Sequence, residues 1–194
     1  MIRVFFAVEL PVGIRENLSS LQHALEKILP PINWVRSESI HLTLKFLGYV
    51  EPSRISQILL ALEPIGTLHQ GFSVEVHGMG VFPHVKHPRI LWVGVNGKTQ
   101  ALQELVLEIE TALELLGFPP EEKLYHPHLT LARIKRDNAK VGSSLLENGV
   151  LEHEQHFGTF SVEGFTLFQS DLDSTGAIYT PLGTIRLLPS RSEQ

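Results

Sequence analysis

The stretch that decides the fold is Ile40-His41-Leu42-Thr43-Leu44-Lys45-Phe46-Leu47-Gly48. Its core returns as His128-Leu129-Thr130-Leu131, inside the run from His126 to Ile134. The two histidines lie 87 positions apart, close to half of the 194-residue chain. Side chains alternate faces along a strand, so a His and a Thr two positions apart share one face while the leucines take the other. Each copy therefore presents an imidazole and a hydroxyl above an apolar underside. Two such strands packed with their motifs facing make one site with two imidazoles and two hydroxyls. That set suits acid–base chemistry on an anionic group such as a phosphodiester.

Working outward, the same order of elements is read twice. Residues 2–9 have the pattern of a strand. A helix is predicted over 11–29, with Pro11 suited to a first turn and Ile14, Leu18, Leu21, Leu25 and Ile28 at helical spacing, ended by Pro30-Pro31. An extended piece over 32–36 leads to a motif strand over 40–47, broken by Gly48. A helix over 53–62 and a strand over 71–81 follow. Shifted by 87, the pattern recurs: a strand over 89–96, a helix over 98–116, a motif strand over 127–134, a helix over 140–149 and a strand over 158–168. A last strand over 177–188 closes the chain, with Pro181 marking an edge or an irregularity. The expected fold is α+β: one bilobal domain whose duplicated lobes, about 2–81 and 89–168, are related by a pseudo-twofold axis. Mainly antiparallel sheets line a central cleft, with helices outside.

Composition narrows the function classes. The chain is 43% hydrophobic and 19% charged, which suits a folded domain, and it has no cysteine, which excludes disulfides, a Cys nucleophile and Cys-ligated metal. No apolar run is long enough to span a bilayer, and the apolar start lacks the pattern of a signal peptide, so no membrane association and a cytoplasmic location are expected. A formal net charge of −5 argues against gripping long nucleic acid through a basic face. It is compatible with recognising one terminal phosphate or a few nucleotides. Neither a phosphate-cradling G-x-x-x-x-G-K-[ST] nor a G-x-G-x-x-G is present, so ATP or dinucleotide use is not indicated.

A histidine near its reference pKa of about 6.5 can be neutral or charged, so one imidazole can take a proton from water while the other gives one to a departing oxygen. Threonine hydroxyls can donate to non-bridging oxygens. A single His-x-Thr is more often a packed core histidine; two copies at matching places are what raise the catalytic reading. His126, His128 and His41 could also imitate three zinc ligands, but no Asp or Glu stands in the motifs and the paired threonines would go unexplained. His153 and His156 read as surface residues.

The two motif blocks, HLTLKFLG and HPHLTLAR, resemble the paired motifs of the two-histidine (2H) phosphoesterases, most closely the LigT/ThpR-like RNA 2′,3′-cyclic phosphodiesterases, once called 2′-5′ RNA ligases. RVFFAVELP, NWVRSESIHLTLKFLG, GVFPHVKHPRILWVGV and GAIYTPLGTIRL extend the resemblance over nearly the whole chain. It implies hydrolysis of a terminal 2′,3′-cyclic phosphate to a 2′-phosphate, with no metal or other cofactor, on an RNA 3′ end or a nucleotide, by a monomer. It assigns His41 as proton donor, His128 as proton acceptor, and Thr43, Thr130 and Arg133 as phosphate-binding groups, with Phe46 stacking on a base. The same fold could act on small cyclic nucleotides, or hold RNA ends without turnover. Phe46 and Arg133 each lie five residues after a motif histidine, an odd offset that puts them on the wrong face of a regular strand. Their roles therefore require a bulge. By the same parity Lys45 either adds charge to the cleft or is a solvated strand-end lysine, and His126 either lines the cleft or hydrogen-bonds the motif, while Trp34 reads as buried and Tyr179 stays undecided.

Overall fold

A computed structural model of the chain describes residues 1–135, 138, 140–152, 155–173 and 176–190. His153 lies outside them. In chain order the elements are β1 (Ile2–Glu9), α1 (Val12–Glu26), β2 (Asn33–Trp34), β3 (His41–Val50), α2 (Ile55–Leu68), β4 (Phe72–Phe82), β5 (Ile90–Gly97), α3 (Thr99–Glu114), β6 (His128–Arg133), α4 (Lys140–Glu147), β7 (His156–Val162), β8 (Gly164–Asp173) and β9 (Gly176–Arg186). The strands form one antiparallel sheet in the order β7-β4-β5-β6-β3-β1-β8-β9, with β2 added on β6. The class is α+β, with two lobes of four strands meeting where β3 lies beside β6.

The lobes interlock in a way that periodicity does not reveal. β1 and β3 share a lobe, and their counterparts β5 and β6 share the other. The next strand of the first half, β4, pairs with β5 rather than β1, while β8 pairs with β1. Each half thus sends a strand into the opposite lobe. The same crossing splits the single strand expected over 158–168. Its first part pairs with β4 as β7 and its second with β1 as β8, so the chain must change lobes between Val162 and Gly164. Only glycine fits at 164, where a Cβ would stand 2.6 Å from the Ile185 carbonyl oxygen.

Two further boundaries differ from expectation. Gly48 does not end β3; at φ +76° it is an irregularity within a strand that runs on to Val50. The helix expected to stop at 62 continues past Pro64 to Leu68. The bond lost at the proline is offset by packing, since Ile65 and Gly66 are buried and a Cβ at Gly66 would lie 2.5 Å from the Arg186 carbonyl oxygen. Pro181 sits on the edge strand β9, at a register shift opposite Leu167 and Phe168.

The main core lies between the convex face of the sheet and the helices. Val4, Phe6 and Val8 of β1, Leu42 and Leu44 of β3, Leu91, Val93 and Val95 of β5 and Leu129 and Leu131 of β6 join Leu18, Leu25, Leu102, Leu105 and Ile109 of α1 and α3 there. A second, smaller cluster of Phe5, Ala7 and Phe168, backed by Tyr179, occupies the opposite face. The concave side of the first lobe thus has an apolar floor of its own. Among the described residues no helix is long and apolar enough to cross a membrane.

Candidate phosphoesterase site

The two motif strands touch at one pair, Leu42 against Leu129, in antiparallel register. That register sets His41 across from Thr130 and Thr43 across from His128. Both leucines are fully buried, so the two histidines and two threonines, all half-buried, stand together on the concave face. The pseudo-twofold axis passes between the leucines, and the site straddles it.

The imidazoles are oriented by equivalent bonds. His41 Nδ1 lies 2.8 Å from the Ser39 carbonyl oxygen, and His128 Nδ1 lies 2.7 Å from that of His126. A carbonyl only accepts, so each Nδ1 carries the hydrogen and each Nε2 is left for a ligand. The His41 ring rests on Phe5, with centroids 4.8 Å apart, and meets Tyr179 edge-on at 5.1 Å. The His128 ring meets Phe82 edge-on at 5.0 Å and lies beside Trp92 at 6.3 Å. Burial is the largest influence on both. It pulls His41 down to about 4 against the opposing bond to Ser39, and the charges of Arg133 and His128 add to the fall. His128 is lowered by burial too, against the His126 bond, with further lowering from His126 and Arg133. At neutral pH both imidazoles are therefore neutral. Burial also raises Tyr179.

Each motif strand bulges three residues after its histidine. Along β3, Ala7 pairs with Thr43 and Phe6 with Lys45, which leaves Leu44 extra. Along β6, Trp92 pairs with Thr130 and Leu91 with Ala132, which leaves Leu131 extra. Leu44 and Leu131 are 87 apart, so the bulges are counterparts. Each inverts the parity beyond it: Leu44 and Lys45 are both buried, as are Leu131 and Ala132, and Phe46 and Arg133 emerge on the concave face. The condition for Phe46 and Arg133 to face the cleft is thus met.

The same bulge corrects the placement of Lys45. It does not face the cleft: it is 3% exposed, and Nζ donates to Glu110 Oε2 on α3 at 2.8 Å and to the Pro119 carbonyl at 2.6 Å. Glu110 Oε2 also accepts from the backbone N–H of Glu121 at 3.0 Å. At the other bulge the holding group is Gln22 of α1, also buried, whose Nε2 donates to the carbonyls of Leu131 at 3.0 Å and Val35 at 2.8 Å. Tyr125, just before the second motif, donates its hydroxyl to the Thr43 carbonyl at 2.9 Å and ties the two motif segments together.

His126 packs its ring against Trp92, at 4.9 Å, and Phe82, at 5.3 Å, and serves the site through its carbonyl. Among the described residues no three His, Asp or Glu side chains are grouped to hold a metal ion. Trp34 is part-buried on β2 against the core. His156 is exposed. Sequence reasoning missed the aromatic floor of Phe5, Phe168, Phe82 and Trp92. Its signal was present: RVFFAV and RILWVGV are continuous apolar runs, which mark strands covered on both faces.

The LigT like Phosphoesterase family matches the chain twice, over residues 8–92 and 93–179, and the chain belongs to that family of 2H phosphoesterases. It is therefore a hydrolase of the phosphoesterase class. A protein of Methanothermobacter thermautotrophicus named RNA 2′,3′-cyclic phosphodiesterase is 30% identical over 188 residues, covering 96% of this chain and 99% of that one. The structure of TT0787 of Thermus thermophilus superposes with a TM-score of 0.80 at 28% identity, covering both chains fully. That of E. coli LigT complexed with 3′-AMP does so at 0.75 and 26% identity, over 96% of this chain and 98% of that one.

Proposed function

We propose that the cleft opens the 2′,3′-cyclic phosphate at an RNA 3′ end to leave a 2′-phosphate, by two-histidine acid–base catalysis without a metal ion. The observation that carries this reading is the Leu42–Leu129 register, which gathers both histidines and both threonines on one face with each Nε2 free. His128 Nε2 takes a proton from water as its oxygen bonds to phosphorus. The bond from phosphorus to the 3′ oxygen breaks, and His41 Nε2 gives that oxygen its proton. Thr43, Thr130 and Arg133 donate to the non-bridging oxygens, where charge builds in the transition state. Phe46, 48% exposed and 5.6 Å from the Phe5 ring, offers its face to the terminal base.

The depressed His41 bears on the cycle. A group at about 4 is neutral at pH 7, so an acid role needs the substrate to supply the missing attraction. A phosphodiester anion between the imidazoles does so, because a nearby negative charge favours the protonated ring. The names of the relatives support the substrate class, and the 3′-AMP bound by E. coli LigT supports a nucleotide ligand. A cytoplasmic monomer, working as one bilobal domain, suffices for this chemistry.

The test is turnover of a short RNA ending in a 2′,3′-cyclic phosphate, with EDTA present and the product identified. A 2′-phosphate is the expected product. No conversion by folded protein, a 3′-phosphate product or loss of turnover in EDTA would each overturn part of the proposal.

A further inference from the structure

The concave face does not end at Phe46. Past the Leu44 bulge, β3 has a second irregularity at Leu47, after which Tyr49 pairs with Arg3 of β1. Val50, next to Tyr49, is 2% exposed and belongs to the core, so Tyr49 lies on the opposite, cleft-side face, where it is 70% exposed. Arg3 shares that face by alternation with Phe5 and Ala7, and it too is exposed. From the pair Ala7–Thr43 beside the motif to the pair Arg3–Tyr49 is four residues of β1, or about 13 Å. Phe5 and Phe46 pair between them. The row therefore runs phosphate site, aromatic pair, then an arginine beside an exposed tyrosine.

No salt bridge among the described residues claims Arg3. Directly across the sheet from it stand Tyr49 on one side and Ser170, then Tyr179, on the other. Its charge reaches Tyr179, which also feels Arg133 from the other lobe. In a chain of net charge −5, an exposed arginine that no described carboxylate holds in a salt bridge adds positive charge to this end of the cleft. An arginine next to an aromatic ring is the pairing that tracks single-stranded nucleic acid: one holds phosphate and the other stacks a base without reading its sequence.

We infer that Arg3 and Tyr49 form a subsite for the nucleotide upstream of the reacting end, Arg3 binding its phosphate and Tyr49 stacking its base, so that the preferred substrate is an oligoribonucleotide rather than a cyclic mononucleotide. This rests on the reading above, in which the terminal base lies on Phe46.

The test compares a tetranucleotide ending in a 2′,3′-cyclic phosphate with adenosine 2′,3′-cyclic phosphate, for wild type, Arg3→Gln and Tyr49→Ser. Each substitution is expected to lower kcat/KM for the tetranucleotide about tenfold and to leave the mononucleotide within about twofold. Arg3→Gln also flattens the salt dependence of the tetranucleotide by about 0.7 per decade, the share of one phosphate contact. Equal losses on both substrates, or none on either, overturn the subsite. If wild type turns over neither substrate, the functional reading has failed by itself. Fluorescence anisotropy with a 5′-labelled tetranucleotide 2′-phosphate then decides: weaker binding by both variants supports the subsite, and unchanged binding overturns it.

Discussion

The two motif strands are the same device built with different parts. β3 and β6 each carry His-x-Thr, each tie the histidine Nδ1 to a carbonyl two residues back, and each bulge at the third residue after the histidine. They then diverge. The bulge delivers a phenylalanine in one lobe and an arginine in the other, and it is held by a buried Lys45–Glu110 pair in the first and by Gln22 in the second. In both cases the holding helix comes from the other half: α1 holds β6, and α3 holds β3. What is shared is the geometry that two proton carriers need. What differs decides which end of an asymmetric substrate each lobe receives, since an arginine suits phosphate and an exposed ring suits a base.

The comparison is most sharply broken at the histidines. His41→Ala is expected to cost about a thousandfold in kcat on the RNA substrate. A good part of that returns on a nucleoside 2′-(4-nitrophenyl phosphate), which keeps the 2′ ester and puts in place of the 3′ oxygen a leaving group that departs without a proton. His128→Ala shows no such recovery. Steady-state rates on the two substrates check it, and recovery in His128→Ala alone would exchange the two roles.

A smaller effect concerns stability. His41 is about 4 folded and about 6.5 unfolded, so between those pH values the unfolded chain binds more protons. The contribution is fully present above about pH 6.5 and is lost as pH falls through about 4, an upper limit on the order of 3 kcal/mol. Urea unfolding of wild type and His41→Asn at pH 7 and pH 4.5 should show the variant losing less stability than wild type over that interval. A parallel decline in both would contradict the assignment.

Smaller still are the bulge anchors. Gln22→Leu removes the donor to the Leu131 carbonyl and should cost about tenfold in kcat/KM, one hydrogen bond's worth of positioning. That cost should vanish when Arg133 is already alanine, yet persist in Phe46→Ala. The paired replacement Lys45→Met with Glu110→Leu leaves no buried charge unmatched and should show the reverse dependence. A double-mutant cycle on kcat/KM reads both. Equal coupling of either anchor to both residues would mean that the anchors support only the fold.

The sequence carried the order of elements apart from the split between β7 and β8, and with it the paired motifs and the family, because strand alternation and helical spacing are local. It did not carry the bulges. Leu42 to Leu47 and Leu129 to Ile134 each read as a regular strand, and the groups that meet their extra residues, Glu110 at the first and Gln22 at the second, are remote in the chain. Lys45 was misplaced for the same reason: parity counted through the bulge. The crossing of β4 and β8 was invisible as well, since a repeat shows which segments are equivalent and not which lobe each one joins. The cleft floor was legible in RVFFAV and RILWVGV, had a continuous apolar run been read as two buried faces.

The most direct test of one site shared by two strands is single-turnover cleavage of the cyclic-phosphate RNA, in EDTA, by wild type, His41→Ala, His128→Ala and the double variant. Groups that act as a unit are not additive. Each single variant should therefore lose nearly as much rate as the double. Substantial activity in either single variant, or losses that multiply in the double, would contradict a site in which the two imidazoles work on one phosphate.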